Sequence, residues 1–528
     1  MAPRLIVLGW DSATFDVVDP LFVAGRLPNL AALAERGARG PLASTWPPMT
    51  DCAWTSAFTG RNPGAHGIFG SWYRAPGAYG CRYFSSRDRK AAAAWELTEG
   101  IRWLVWNVPM TFPPNGIDGV MVAGYGAPPG SSFCSPAEFQ DELARRWPLE
   151  DLLDRAPHGS LERFRDDLIR GLAVQAEALP FAARESGADC VVAVWPHVDR
   201  AQHFFWRFTN TDQALASAIE DVYAAMDAAT GAIVDAFPDA DVMVVSDHGA
   251  GPLHADVNVG AFLAQRGHAT YAAPKRNVLA DIAWGLPAPI RRAARRMAPG
   301  TARRAMGAAL VKQLGPFDWN NTKAFVGVNG DLWLNLQGRE PSGNVTADDA
   351  PALLEELVAG LATIEDPVRG EPVFQAIYRR DELYSGPALA LAPELMLDSW
   401  SAGYRVAVKR DRSAPVVGPP TSLAGVREPW SSEHRPEGIL VAGGPRVAPG
   451  RPEGASLYDV APTMLALLEQ PVASDSDGRP LTEVLDGPFL ENHPIAERDV
   501  GPRDAAAAYS EDEAAAVAAH LKDLGYIE

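Results

Sequence analysis

Asp and His recur in this chain just after short apolar runs rich in Val and Ile. Asp11 follows Leu5-Ile6-Val7-Leu8, Asp199 and His203 follow the run Cys190 to Trp195, and Asp247-His248 close the run Asp241 to Val245. His434 stands shortly ahead of Ile439-Leu440-Val441-Ala442, within Ser431-Ser432-Glu433-His434-Arg435-Pro436. Carboxylate and imidazole together suit zinc, and less specifically manganese. Three Asp and three His are enough ligands for two divalent ions. Two ions about 3.5 to 4 Å apart serve phosphoryl transfer because they bind both the attacking and the leaving oxygen. Taken singly, an Asp after a strand is ordinarily a helix cap and a His a satisfied polar residue. The joint pattern, Asp-x-x-x-His and Asp-His at strand ends, is what points to a metal site.

Such a site also needs a nucleophile. Trp46-Pro47-Pro48-Met49-Thr50-Asp51-Cys52-Ala53-Trp54-Thr55-Ser56 supplies hydroxyls ahead of Thr59-Gly60-Arg61-Asn62-Pro63-Gly64. A hydroxyl at a helix N-terminus beside a divalent cation loses its proton more readily, and the helix presents N–H groups to a phosphate. Thr50 fits that position best. Trp46 and Trp54 are candidates either for a pocket wall or for the core.

The elements that must position these groups follow from the apolar runs themselves, which read as buried strands of a parallel sheet. Helical patterns lie between them, at Leu30 to Arg36, Ala214 to Phe237 and Tyr458 to Leu468. This alternation predicts an α/β, doubly wound core, in which groups beyond the strands' carboxyl ends converge on one crevice. The expected organisation places the first part of an α/β metal-binding core at 1–255, with an insertion over about 70–135. A helical insertion and cap with a smaller sheet follows at 256–430, the core returns at 431–485, and a C-terminal tail helix occupies 486–528. Leu332 to Asn335 and Tyr404 to Val408 are expected in the smaller sheet. The stretch 273–314 is the one markedly basic segment, with three Arg-Arg pairs, and reads as the solvated face of a cap helix or as a surface for an acidic partner, membrane or substrate.

Composition agrees with an ordinary soluble globular protein: 528 residues, 47% hydrophobic, 21% charged and a net charge of −19. The acidic balance argues against a broad nucleic-acid surface, since phosphate backbones are held by Lys and Arg. No apolar run approaches membrane-spanning length, and the N-terminus carries no secretion signal, so a cytoplasmic protein acting on a small molecule is expected. The four cysteines, at 52, 81, 134 and 190, form no C-x-x-C pair and suggest reduced thiols. A G-x-x-x-x-G-K-[ST] loop is absent, which removes kinase and ATPase readings of that type.

From Val7-Leu8-Gly9-Trp10-Asp11 through Ser246-Asp247-His248-Gly249 to Tyr458-Asp459-Val460-Ala461-Pro462-Thr463, the chain resembles the alkaline phosphatase superfamily, and within it the bacterial type I phosphodiesterase/nucleotide pyrophosphatase-like branch. Thr59 to Gly70, Asp199 to Trp206, Gly338-Arg339-Glu340-Pro341 and Glu433 to Gly444 carry the same likeness. The resemblance implies an alkaline-phosphatase-like fold with a central, mostly parallel sheet and cap elements. It implies one metal on Asp199, His203 and His434 and a second on Asp11, Asp247, His248 and the Thr50 oxygen, both most simply Zn²⁺ with Mn²⁺ as the alternative. It implies a phosphodiester or pyrophosphate hydrolase acting through a covalent phospho-threonine on a small phosphate ester. Phosphomonoesterase or phosphoryl-transferase activity on the same site, and a non-catalytic metal-binding protein, are the alternatives. Sulfatases share the fold, but Cys52 lacks the Cys-x-Pro-Ser-Arg pattern. The sequence departs from the family pattern where an Asn is expected three residues after the nucleophile: Ala53 stands there, which weakens the nucleotide-diester reading.

Overall fold

Every residue of the strand Leu5–Trp10 is buried, and this strand lies inside an eight-stranded sheet. The computed structural model describes residues 2–74, 77–128, 130–152, 159–272, 312–313, 317–327, 329–407, 414–421, 430–501, 503 and 517. Across the sheet the strands run Ala38–Ala43, Glu437–Gly443, Asp241–Val245, Leu5–Trp10, Cys190–Trp195, Trp103–Trp106, Gly119–Val122 and Cys134–Ser135. The five from Asp241–Val245 to Gly119–Val122 pair in parallel. Antiparallel pairings add the strands at both edges.

Helices cover both faces, which is why the central strands are apolar throughout rather than alternating. Ile6, Leu8 and Trp10 belong to a core shared with the helices Pro28–Arg36, Leu161–Ser186 and Ala218–Ala236. Leu5 and Val7 point the other way, into a core shared with Thr50–Thr59 and Val460–Leu467. The protein is thus the α/β type expected, with a central, mostly parallel sheet flanked by helices. Register keeps the strand ends level: Trp10 is paired with Trp195, and Gly9 with Val245. The residues that follow these three strands therefore emerge at one rim.

Two expectations need correction. The insertion drawn over 70–135 contains core, because Trp103–Trp106, Gly119–Val122 and Cys134–Ser135 are strands of the central sheet. They are only two to four residues long and are separated by Pro- and Gly-containing loops, so no long apolar run announces them. Within 256–430 the described residues are as much strand as helix. Ala324–Val326, Asp331–Leu334, Leu395–Asp398 and Ala376–Arg379 form an antiparallel sheet that packs with helix Ala350–Leu361. Tyr404–Val406 is not in that sheet; it pairs in parallel with Ala255–Val257 in a separate three-stranded one. Residues 486–528, expected as a tail helix, begin with a short helix at Gly487–Asn492 and a two-residue strand at Glu497–Arg498, and most of the remainder lies outside the described residues. Of 504–528 only Val517 lies among the described residues, and it is buried. Nearly all of the basic stretch 273–314 lies outside them. Among the described residues no single helix is long and apolar enough to cross a membrane.

Candidate metal centre

Asp11 comes directly after Leu5–Trp10, and Asp247 two residues after Asp241–Val245. Beyond Cys190–Trp195 the chain enters helix His197–Phe205, where Asp199 and His203, four apart, share one face. His434 arrives on a short strand, Ser432–Arg435, paired antiparallel with Gly249–Pro252 so that it sits opposite Ala250. That pairing lays the His434 ring on His248, with centroids 3.7 Å apart and planes 17° apart. The chain beyond the second strand passes close to Gly249, where a Cβ would meet the Glu437 carbonyl at 2.2 Å. Thr50 is the first residue of helix Thr50–Thr59, which begins directly after Pro47-Pro48-Met49 and ends at Gly60 with φ of +67°.

The seven residues singled out by sequence stand together and are buried. Ligand-type atoms of Asp199, His203 and His434 lie within 4.8 Å of one another, as do those of Asp11, Asp247 and His248. Asp199 Oδ1 is 3.1 Å from His203 Nε2 and 3.8 Å from His434 Nε2. His248 Nε2 is 3.1 Å from Asp247 Oδ2, 3.9 Å from Asp11 Oδ1 and 3.4 Å from Thr50 Oγ1.

Main-chain carbonyls fix the tautomers. Nδ1–H of His203 donates to Ser432 O at 3.2 Å, that of His248 to Gly249 O at 3.1 Å, and that of His434 to Pro48 O at 2.8 Å. A carbonyl oxygen only accepts, so each Nδ1 carries the proton and each neutral ring turns an Nε2 lone pair into the site. Asp247 Oδ2 faces one of these lone pairs and has no hydrogen-bond donor among the described residues. Lone pairs facing lone pairs in a buried site are a seat for cations.

Electrostatics agree. Burial, aided by the charge of Asp199, pushes the Asp247 carboxyl well above the usual carboxylate range. Burial, then the neighbouring His434, holds His248 well below the ordinary imidazole value. His434 is also lowered, mainly by burial. Burial acts against ionised Asp199 too, but His203 beside it outweighs this and brings its carboxyl below the usual range. Divalent cations would answer all three carboxylates and all three imidazoles at once.

Around these groups lies a ring of orienting contacts that sequence reasoning missed. Trp54 donates its indole N–H to Asp11 Oδ2 at 3.1 Å, and its ring fills the space a Cβ on Gly9 would occupy. Trp54 is fully buried, so it belongs to the core rather than to a pocket wall. Ser12, at φ of +68°, gives its N–H to Asp247 Oδ1 at 3.0 Å. Trp46 is only half-buried and rests on Tyr378 and Trp400. Ala53, which stands in place of the expected Asn, is buried in the core. Cys52 is also buried, its Sγ–H donating to Ile68 O at 3.2 Å, and burial raises its pKa further. It is no exposed nucleophile.

Residues 5–418 match the sequence profile of the type I phosphodiesterase/nucleotide pyrophosphatase family. The chain belongs to that family, and it is an enzyme of the phosphoric-ester hydrolase class. No curated protein matches the sequence significantly. Among solved structures it is similar to phosphonoacetate hydrolase from Sinorhizobium meliloti 1021 in complex with phosphonoacetate, at a TM-score of 0.54 and 16% identity, covering 87% of this chain and 94% of that one. It is also similar to a variant of the alkaline phosphatase PafA, at a TM-score of 0.50 and 14% identity, covering 92% and 99%. At such identities the likeness is one of fold alone.

Proposed function

We propose that this enzyme hydrolyses a phosphodiester or pyrophosphate bond through a covalent phospho-threonine at Thr50, at a site for two divalent ions, most simply zinc. The observation that carries the reading is the commitment of all three Nδ1 protons to carbonyls, which leaves three imidazole lone pairs and the carboxylates converging beside one hydroxyl. Asp199, His203 and His434 would hold one ion, and Asp11, Asp247, His248 and Thr50 Oγ1 the other. Ions bound there would stabilise negative charge on the attacking and leaving oxygens.

The chain itself does the rest. Thr50 Oγ1 gives up its proton to solvent and attacks phosphorus, the Oγ1–P bond forms, and the ester oxygen departs with the bonding pair and takes up a proton from solvent. No side chain caps the helix that Thr50 begins, so its first-turn N–H groups are suited to receive the phosphoryl oxygens. Water then breaks the Oγ1–P bond and restores the hydroxyl. The test is turnover of bis-p-nitrophenyl phosphate against p-nitrophenyl phosphate by zinc- and manganese-loaded protein, with Thr50→Ala alongside. The expected result is a faster diester reaction that Thr50→Ala abolishes while metal content stays unchanged. Near-normal activity of Thr50→Ala would remove Thr50 as nucleophile, and a faster monoester reaction would make the enzyme a phosphomonoesterase.

A further inference from the structure

One buried amide ties the two groups of candidate ligands to each other. Gln202 lies on helix His197–Phe205, directly before His203, and is fully buried. Its Nε2 donates to Ser12 O at 2.9 Å. Ser12 in turn directly follows Asp11 and donates its N–H to Asp247 Oδ1 at 3.0 Å. The left-handed conformation of Ser12, uncommon for a residue other than glycine, is what lets its N–H serve Asp247 while its C=O serves Gln202. The amide is itself oriented: Tyr223 donates its hydroxyl to Gln202 Oε1 at 3.3 Å and accepts from Thr14 N–H at 3.2 Å. Tyr223 is buried on helix Ala218–Ala236, so it is held by the core and not by solvent.

We infer that Gln202 is a positioning residue that sets the separation of the two ion sites, by fixing the Ser12 peptide against the helix that bears Asp199 and His203. The inference rests on the two-ion reading above. The physical reason for such a device is that in-line phosphoryl transfer tolerates little change in the spacing of two ions about 3.5 to 4 Å apart, and groups outside the ligand shell are what hold ligands in place. An amide suits the position because it offers a donor to Ser12 and an acceptor to Tyr223 at once. Neither a carboxylate nor a thioether does both.

The experiment compares wild type, Gln202→Met and Tyr223→Phe, each reconstituted with zinc. It reads ions per chain, the metal–metal distance by X-ray absorption, and kcat and KM on bis-p-nitrophenyl phosphate. Both variants are expected to bind two ions, to show a longer or more dispersed metal–metal distance, and to lose about 10- to 100-fold in kcat with KM little changed, Gln202→Met more than Tyr223→Phe. Where Gln202→Met fails to fold, Tyr223→Phe carries the test, since it retains the amide and removes only the group that orients it. An unchanged metal–metal distance and kcat in the folded variants, with two ions in wild type, would overturn the role of Gln202 alone. Fewer than two ions in wild type would overturn the two-ion reading itself.

Discussion

His203 Nε2 and His434 Nε2 stand 3.3 Å apart, and each ring has its Nδ1 proton given to a main-chain carbonyl. Two neutral imidazoles turned lone pair to lone pair repel unless a cation lies between them and Asp199. Metal should therefore stabilise the fold as well as the reaction. Free zinc at a hundredfold its Kd adds about 2.7 kcal/mol per site to the unfolding free energy. Chelator should lower Tm and zinc restore it, and His203→Ala or Asp247→Ala should each bind fewer ions and lose activity. Two ions per chain in either variant would contradict the ligand assignment.

Trp54 offers a milder perturbation. Its indole N–H reaches Asp11 while its ring stacks on Phe58 at 5.6 Å, four residues along the helix that Thr50 begins. Trp54→Phe keeps most of the buried ring and removes the donor to one ligand. Removing such an orienting bond typically costs 10- to 100-fold in metal affinity. Titration of apoprotein against a zinc-buffering chelator should show weakening at one site only. Equal weakening of both, or of neither, would show that the bond does not orient Asp11.

The legible part of this molecule was the part written in contiguous residues. Leu5–Trp10 and Cys190–Trp195 are apolar from end to end because both faces of their strands are covered, and the polar residues after them are then the rim of the sheet. The links to Asp11 from Trp54 and to Ser12 from Gln202 span 43 and 190 positions. No local pattern encodes such pairings, which exist only once strand order and helix rotation are set. Gly338-Arg339-Glu340-Pro341 was legible as a family segment but not in its role, which is structural.

That segment anchors the smaller sheet. Arg339 and Arg380 both pair with Glu394, which is 4% exposed and also accepts from Leu334 N–H at 2.8 Å. Glu340 pairs with buried Arg74 at 3.0 Å. Glu394→Ala leaves two guanidinium groups without their shared carboxylate, a change of the kind that costs about 3 to 5 kcal/mol. Because the network lies in the cap, metal content should be unchanged while amide exchange in Asp331–Leu334 accelerates. Exchange there at the wild-type rate would mean that the ion pairs contribute nothing measurable.

His66 gives the fold an acid limit. It is fully buried, its Nδ1 accepts from Ile68 N–H at 3.1 Å, and its Nε2–H donates to Ser56 Oγ at 2.9 Å. A second proton has no place to go without expelling the Ile68 amide. Burial, then the charges of Arg89 and Arg61, holds its pKa down at about 3 against the usual 6.5. Below 6.5 the unfolded chain binds a proton that the folded one refuses, so stability falls with falling pH. The loss is about 1.4 kcal/mol per pH unit and stops once pH passes below the folded-state pKa. His66→Gln can make both hydrogen bonds with an amide that does not titrate. Urea unfolding at about pH 7, 6 and 5 should therefore show the variant's stability declining less steeply, by close to one proton's worth of slope. Parallel declines in the two proteins would show that the titrating group is elsewhere.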